Sequence, residues 1–138
     1  MSALAVGMHI RVHRLVPASE IDDFASLSGD VHPNHTDDDY MSRTPYGRRI
    51  AHGGLLMAYM TGTASDLLEQ YDWPAAVSYG YDRVRFVGPV FVDDEVDVDY
   101  RITEFDEERN LFIAEIVITN GDGATVAVAR HLLREVQA

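Results

Sequence analysis

The chain of 138 residues has the length of one ordinary domain and carries 11 basic against 23 acidic side chains, a formal net charge of −12. This negative charge excludes a nucleic-acid binder and electrostatic docking on an anionic membrane, since both need a basic surface. The absence of cysteine excludes disulfides, thiolate nucleophiles and sulfur-ligated zinc.

A strand and a short helix are predicted first. Residues 8–16 alternate polar and apolar side chains, which is typical of a half-buried strand. A helix is predicted from about 20 to 27, with Ser19 as its N-cap. Its apolar stripe is predicted to consist of Ile21, Phe24, Ala25 and Leu27. The sequence shows no signal-peptide pattern and no apolar run long enough for a membrane span, so we expect a soluble cytoplasmic protein.

The region between residues 29 and 52 is polar and is predicted to be mostly loop, with a short helical turn starting at Thr36. An ordered loop of this length in a small domain is uncommon and usually functional. Residues 53–70 then carry apolar side chains at helical spacing and are predicted to form the main helix. One face of this helix is small, which favours close packing against a broad surface such as a sheet.

Four strands are predicted after the main helix, over residues 76–87, 95–105, 111–119 and 124–136. In the second of them, Val96, Val98, Tyr100 and Ile102 are expected to face inward. The sequence Asn-Gly-Asp-Gly at 120–123 indicates a hairpin turn. This order of elements predicts an α+β fold, a single domain over residues 1–138 in which an antiparallel sheet wraps around one long helix.

Two side chains in the polar region are suited to proton transfer. Asp30 and His35 lie in a short segment stiffened by Pro33, and a carboxylate and an imidazole can serve the two ends of a proton-transfer reaction. Gly53 and Gly54 begin the predicted main helix, whose first amides are unpaired and lie at its positive end. Glycine lets a substrate approach this backbone closely, so the helix start is suited to stabilising an oxyanion.

The spacing of these residues carries a family resemblance. Ser28-Gly29-Asp30, Pro33 and His35 are followed by Ile50, His52 and Gly53, and later by Phe86-Val87-Gly88-Pro89-Val90-Phe91. In this combination the chain resembles, over essentially its whole length, the MaoC-like (R)-specific enoyl-CoA hydratases. The resemblance implies the hotdog fold of that family, in which an antiparallel sheet wraps around a long central helix.

The resemblance also implies a reaction. Asp30 and His35 would be the catalytic pair of a hydro-lyase and would activate one water, which adds to Cβ of a trans-2-enoyl-CoA to give a 3-hydroxyacyl-CoA, or leaves in the reverse direction. The Gly53 amide would bind the thioester oxygen as it gains enolate charge, and Thr61 would line the substrate pocket. No metal and no organic cofactor are expected. Because the acyl pocket of the family lies between subunits, we expect a homodimer or higher homo-oligomer.

Three residues depart from the family pattern. His32 stands in place of an asparagine, Asn34 in place of an aliphatic residue, and Met41 in place of a small residue. His32 brings a second imidazole close to Asp30 in sequence, so the departures raise a question about the substrate and leave the catalytic pair intact. The candidates for substrate binding are His32, Asn34, His52 and Thr61.

Five arginines fall in two short segments of the sequence. Arg43, Arg48 and Arg49 lie in the polar region, and Arg83 and Arg85 lie in one predicted strand. One interpretation is an ordinary surface that keeps the protein in solution. The functional interpretation is that some of these arginines bind the phosphates of CoA, because arginine makes bidentate contacts with phosphate.

Other hypotheses remain open at this point. Asp30, His32 and His35, beside the acidic turn 37–39, could bind Zn²⁺ or Fe²⁺, although these residues are accounted for without a metal. The substrate could be a specialised dicarboxylic or branched enoyl thioester such as mesaconyl-CoA. The chain could also be a non-catalytic hotdog subunit that binds acyl thioesters. The remaining histidines are expected on strand faces, and three aromatic residues in the core or an interface: His9, His13 and His131, and Tyr79, Tyr81 and Phe86.

Overall fold

The long apolar helix is the element around which the chain folds, as shown by a computed structural model that describes residues 3–136. The elements in chain order are β1 (His9–Leu15), α1 (Ala18–Ser28), α2 (Pro33–Thr36), α3 (Asp38–Ser42), α4 (Gly53–Gln70), β2 (Ala76–Phe86), β3 (Glu95–Asp106), β4 (Leu111–Asn120) and β5 (Thr125–Glu135). The predicted main helix and the four strands after it are confirmed to within two residues at either end. No helix of the described residues qualifies as a candidate transmembrane span, and this includes the longest, α4.

The five strands form one antiparallel sheet in the order β1-β3-β4-β5-β2. Strand β2, which directly follows α4 in the chain, therefore lies at one edge and pairs only with β5. Its register shifts between Ser78 and Gly80 and again between Asp82 and Arg85, and Arg83 has a left-handed backbone with φ of 53°. Bulges of this kind bend an edge strand and redirect its side chains, and they are common beside functional sites.

The core lies between the sheet and α4. In β3 the predicted inward residues Val96, Val98, Tyr100 and Ile102 are all buried, and they alternate with more exposed neighbours. The helix contributes Leu55, Leu56, Tyr59, Met60 and Leu67 to the same core. Burial of one such side chain stabilises the fold by about 1.5–3 kcal/mol, so this packing anchors α4, and with it the start of the helix at Gly53.

Two local predictions were wrong, and a third, the helical turn that corresponds to α3, was incomplete. The first helix begins at Ala18 with Pro17 at the N-cap, and no side chain caps it, so Ser19 lies inside the helix. Leu27 is 86% exposed, because it lies two positions after the buried Ala25 and therefore on the opposite side of the helix. The polar region contains two short helices in place of one turn from Thr36. Pro33 begins α2, and the Asp37 side chain caps α3 by accepting a hydrogen bond from the Tyr40 amide.

Candidate active site

The turn after α1 places Asp30 at the surface. Gly29 ends the helix with a left-handed backbone, φ of 81°, and its amide donates to the Ala25 carbonyl at 2.9 Å, a conformation that favours glycine. The Ser28 hydroxyl then accepts the Asp30 amide at 3.1 Å. These bonds reverse the chain direction, so the Asp30 carboxylate extends from a held backbone and remains exposed to solvent.

His35 lies in α2 and is almost completely buried. Its Nδ1–H donates to the carbonyl of Ile50 at 2.7 Å, which leaves the Nε2 lone pair free in the neutral ring. Removal of the imidazole from water lowers the pKa of His35 below its usual range. His35 is therefore neutral at pH 7, and its Nε2 is a proton acceptor.

The two candidate catalytic groups face each other across a short gap. His35 Nε2 lies 3.7 Å from Asp30 Oδ2, which is too long for a direct hydrogen bond. One water oxygen can lie at hydrogen-bonding distance from both atoms at this separation. The arrangement is suited to holding a water between a carboxylate and an imidazole.

The N-terminus of α4 opens into the cavity that His35 lines. At this end the amides of Leu55 and Leu56 donate to the His52 carbonyl, so the amides of Gly53 and Gly54 lie before the first bond of the helix. The cavity has a volume of about 370 Å³. Its lining includes His35, Ile50, Gly53, Leu56, Phe86 and Val90. A base and the positive end of a helix therefore meet in one largely apolar cavity.

His52 lies behind these groups. It is 2% exposed, its Nε2–H donates to the backbone carbonyl of Asp30 at 2.9 Å, and its ring stacks on His35 with 3.7 Å between ring centroids. It is not among the residues that line the cavity. The structure thus places this candidate for substrate binding in contact with Asp30 and His35 and outside the cavity lining.

One group among the described residues has the composition of a metal site. Ligand atoms of Asp30, His35 and His52 lie within 4.8 Å of one another, whereas His32, the second histidine of the sequence-based metal hypothesis, is not a member. The rings of His35 and His52 are stacked with 22° between their planes. The lone pair of an imidazole nitrogen lies in the ring plane, and an ion bound by two imidazoles therefore lies near both planes. Two stacked rings have separate, nearly parallel planes. This geometry does not favour binding of one ion by both rings.

The comparison with known proteins agrees with the fold and the motif. Residues 4–128 match the family model described as a MaoC like domain. The chain belongs to this family. The chain is 29% identical over 132 residues, 96% of its length and 96% of the relative's, to a relative named (R)-specific enoyl-CoA hydratase from Aeromonas caviae. It is 34% identical over 107 residues to a relative named 3-hydroxybutyryl-CoA dehydratase from Methylorubrum extorquens, covering 77% of this chain and 65% of that one.

The structural comparison gives the same assignment. The solved structure described as the (R)-hydratase from A. caviae involved in PHA biosynthesis superimposes with a TM-score of 0.87 at 28% identity, and the match covers 99% of this chain and 100% of that one. The R-hydratase PhaJ1 from Pseudomonas aeruginosa gives a TM-score of 0.84 at 24% identity, which supports the fold alone. The MaoC-like domain thus has the hotdog fold that the sequence predicted.

The residues that depart from the family pattern have separate environments. His32 is exposed and Asn34 is half-buried. They contact each other: His32 Nδ1 accepts the backbone N–H of Asn34 at 3.1 Å and so caps α2. Met41 is buried in the core. Thr61 lies eight residues beyond Gly53 in α4, where its hydroxyl is 2.9 Å from the hydroxyl of Tyr81, and it is not part of the cavity lining.

The five arginines proposed as phosphate ligands divide into one buried residue and four exposed ones. Arg49 is buried and donates to Asp22 at 2.9 Å, to Asp38 at 3.0 Å and to the His35 carbonyl at 3.2 Å, so it ties α1, α2 and α3 together. Arg48 lies over the Phe91 ring and pairs with Asp94. The exposed arginines are Arg43, Arg48, Arg83 and Arg85. Of these five candidates, therefore, four present a guanidinium group to solvent.

Sequence reasoning missed two contacts that shape the site. The backbone carbonyl of Ile50 that orients His35 cannot be predicted from residue type, because every residue has a backbone carbonyl. Phe86, expected only in the core or an interface, lies on Gly53: a Cβ atom built there would be 2.4–2.8 Å from three ring atoms. The glycine is thus required by a close side-chain approach, and Phe86, although 49% exposed, forms part of the cavity.

Replacing Gly53 with Ala should therefore disturb the site. We expect Gly53→Ala to displace either the Phe86 ring or the helix start and to lower kcat about tenfold, since a small misplacement of a catalytic donor is costly. The double variant Gly53→Ala/Phe86→Ala should recover part of that loss. Steady-state kinetics would test this, with Gly62→Ala as the control in the same helix, where a Cβ meets nothing within 4 Å. Equal kcat for Gly53→Ala and Gly62→Ala would contradict the prediction.

Proposed function

We propose that the protein is a hydro-lyase that reversibly hydrates a trans-2-enoyl-CoA to a 3-hydroxyacyl-CoA, with Asp30 and His35 as the catalytic pair. The observation that carries the proposal is the placement of His35. The Ile50 carbonyl fixes its tautomer, its Nε2 lies 3.7 Å from Asp30 Oδ2, and it lines the same cavity as Gly53. The names of the relatives, enoyl-CoA hydratase and 3-hydroxybutyryl-CoA dehydratase, support this reaction class.

The reaction proceeds by acid–base chemistry at these groups. A water held by Asp30 and His35 attacks Cβ of the enoyl thioester, and Nε2 of His35 takes its proton as the C–O bond forms. The electron pair of the double bond moves towards Cα, and negative charge develops on the thioester oxygen, where the Gly53 amide stabilises it. The proton then passes from His35 to Cα, so the hydroxyl group of the water ends on Cβ and its proton on Cα. The reaction needs no oxidant or reductant, and we propose that neither a metal nor an organic cofactor takes part.

The experiment that tests the proposal is an assay of the purified protein with enoyl thioesters. The panel contains crotonyl-CoA, longer and branched trans-2-enoyl-CoAs, and mesaconyl-CoA, and both hydration and the reverse dehydration are followed. We expect turnover of at least one simple enoyl-CoA. Turnover of mesaconyl-CoA alone would favour the specialised hydratase. Binding of acyl-CoA without turnover of any thioester would overturn the proposal in favour of a non-catalytic subunit.

We also propose that the active form is a homodimer or a higher homo-oligomer. Strand β2 is an edge strand with exposed apolar side chains at Val77, Tyr79 and Phe86, and an unpaired edge of this kind is normally covered in a native protein. Because Phe86 also lines the cavity, a second copy at this edge would lie beside the site. Sedimentation analysis should give at least twice the monomer mass, and a monomeric, fully active enzyme would contradict this proposal.

The exposed arginines lead to a prediction about substrate affinity. We expect Arg→Ala changes at one or more of Arg43, Arg48, Arg83 and Arg85 to raise KM for CoA thioesters about tenfold at low salt, because a charge-assisted contact with phosphate contributes about 1.5–3 kcal/mol. The value of kcat should remain within about twofold of wild type. The control is Arg11→Ala on β1, which pairs with Asp97 and Asp99. If none of the four changes alters KM, the arginines are ordinary surface residues.

A further inference from the structure

One buried side chain contacts both members of the catalytic pair. The Nε2–H of His52 donates to the backbone carbonyl of Asp30 at 2.9 Å, and the His52 ring stacks on the His35 ring with centroids 3.7 Å apart and planes 22° apart. The Phe24 ring covers another side of His52, with centroids 4.8 Å apart and planes 60° apart. His52 therefore lies between the scaffold of α1 and the two groups that would carry the reaction.

The two contacts restrain different parts of the site. The hydrogen bond restrains the backbone at Asp30, from which the carboxylate extends. The stacking contact supports the face of His35, whose in-plane position is set separately by the bond from Nδ1 to the Ile50 carbonyl. Together they determine how far His35 Nε2 lies from the Asp30 carboxylate, the distance over which both must hold one water.

The choice of histidine at this position is also informative. His52 Nδ1 is buried and has no hydrogen-bond partner among the described residues, and an unpaired buried acceptor is unfavourable. A phenylalanine would fill the same space without this cost. What histidine adds to an apolar ring of similar size is the Nε2–H donor to Asp30. A direct contact with substrate is not available to it, since it is buried and lies outside the cavity lining.

We infer that His52 is a positioning residue, which holds Asp30 and His35 at the separation needed for one shared water. This inference rests on the proposed hydratase activity and assigns His52 a role different from substrate binding. It predicts that changes at His52 lower kcat with little effect on KM, because the substrate does not touch this side chain.

Two variants separate the two contacts. His52→Phe keeps an aromatic ring against His35 and removes the donor to Asp30, whereas His52→Gln keeps a donor at the same reach and removes the ring. We expect each to lower kcat about 10- to 100-fold with KM within twofold of wild type, as small displacements of catalytic groups have effects of this size. Phe24→Leu is the matched control, because it alters the packing on His52 and leaves both of its contacts with the pair in place.

A second measurement does not need turnover. Removal of the His52 ring exposes the face of His35. Burial is the main cause that lowers the pKa of His35, and His52 and His32 lower it further, whereas the bond to the Ile50 carbonyl and the Asp30 carboxylate raise it. Histidine NMR titration of His52→Gln should therefore show His35 titrating closer to the ordinary value of about 6.5 than in wild type. The same shift should appear in the acidic limb of the pH profile of kcat/KM.

The outcomes distinguish the positioning role from the proposed reaction. Equal losses of kcat in the His52 variants and in Phe24→Leu, at matched thermal stability, would reduce His52 to a packing residue and overturn the inference. A change in KM alone would make it a substrate contact and would also overturn it. If wild type converts no thioester, the proposed function fails, and the NMR titration then decides the role of His52. If His52→Phe does not fold, His52→Gln still tests the stacking contact, both by kcat and by the NMR titration of His35.

Discussion

Replacing Asp30 with Asn or His35 with Ala is expected to lower kcat for enoyl-CoA hydration by about 10²- to 10⁴-fold, the usual contribution of a general acid or base. Asparagine has nearly the shape of aspartate and keeps its place, so Asp30→Asn removes charge and proton transfer with little change in packing. His35→Ala removes the proton acceptor and leaves the Ile50 carbonyl without its donor. Steady-state kinetics on crotonyl-CoA provide the measurement.

Two exposed residues serve as controls for these variants. Asp39→Asn removes a carboxylate from the same polar region, and His13→Ala removes an imidazole from β1, far along the chain from the proposed site. Both should retain activity within about twofold of wild type. Full activity in both Asp30→Asn and His35→Ala would eliminate the proposed pair. The effects should not add in a double variant, because the two groups hold the same water.

The second large effect concerns stability and arises from His131. This residue lies in β5, which agrees with the expected strand setting, and its ring faces the core. The ring is buried; its Nδ1 lies 2.7 Å from the Tyr100 hydroxyl and its Nε2 lies 2.8 Å from the Ser78 hydroxyl. It also stacks on Tyr81 with centroids 4.4 Å apart. Burial in these surroundings lowers the pKa of His131 to about 4.

Stability should therefore fall as the pH is lowered from about 6.5 to about 4. In this window the unfolded chain, with an ordinary histidine pKa, binds a proton that the folded chain does not, so protonation favours unfolding. The pKa of His131 is about 6.5 in the unfolded chain and about 4 in the folded one, a difference that corresponds to roughly 3 kcal/mol of unfolding free energy. This contribution is fully present above pH 6.5 and is lost below pH 4. This is a large share of the total stability of a small domain.

Urea unfolding at several pH values between 7 and 4 would measure this effect. His131→Leu should be less stable at pH 7, because it leaves the hydroxyls of Ser78 and Tyr100 unpaired, but its stability should depend less on pH. The difference in pH dependence between wild type and variant separates the contribution of His131 from that of His35. The pKa of His35 is also lowered, so its protonation likewise favours unfolding. If the free energy of unfolding of the wild type were equal at pH 7 and pH 5, His131 could not be neutral and buried in the folded protein.

Much of the site could be predicted because its signals are local in sequence. Asp30, His35 and Gly53 form a motif of residue types and spacings, and the structure places His35 and Gly53 in one cavity with Asp30 facing His35. The roles of Arg49 and His52 could not be predicted in this way. Both belong to the same polar region as the other candidates, and only the packing of α1, α2 and α4 turns them inward.

The sequence by itself determined the family, the α+β class and the bounds of α4 and β2–β5, since helical and strand periodicity are properties of neighbouring residues. Only the tertiary structure decided that Ile50 orients His35, that Phe86 lies on Gly53 and that His131 is buried between Tyr100, Ser78 and Tyr81. Each of these contacts joins residues far apart in the chain. The contact of His35 with Ile50 depends on how the polar region folds back on itself. The contacts of Phe86, Ser78 and Tyr81 depend on which sheet edge β2 occupies and how its bulges direct its side chains, and no local pattern records either outcome.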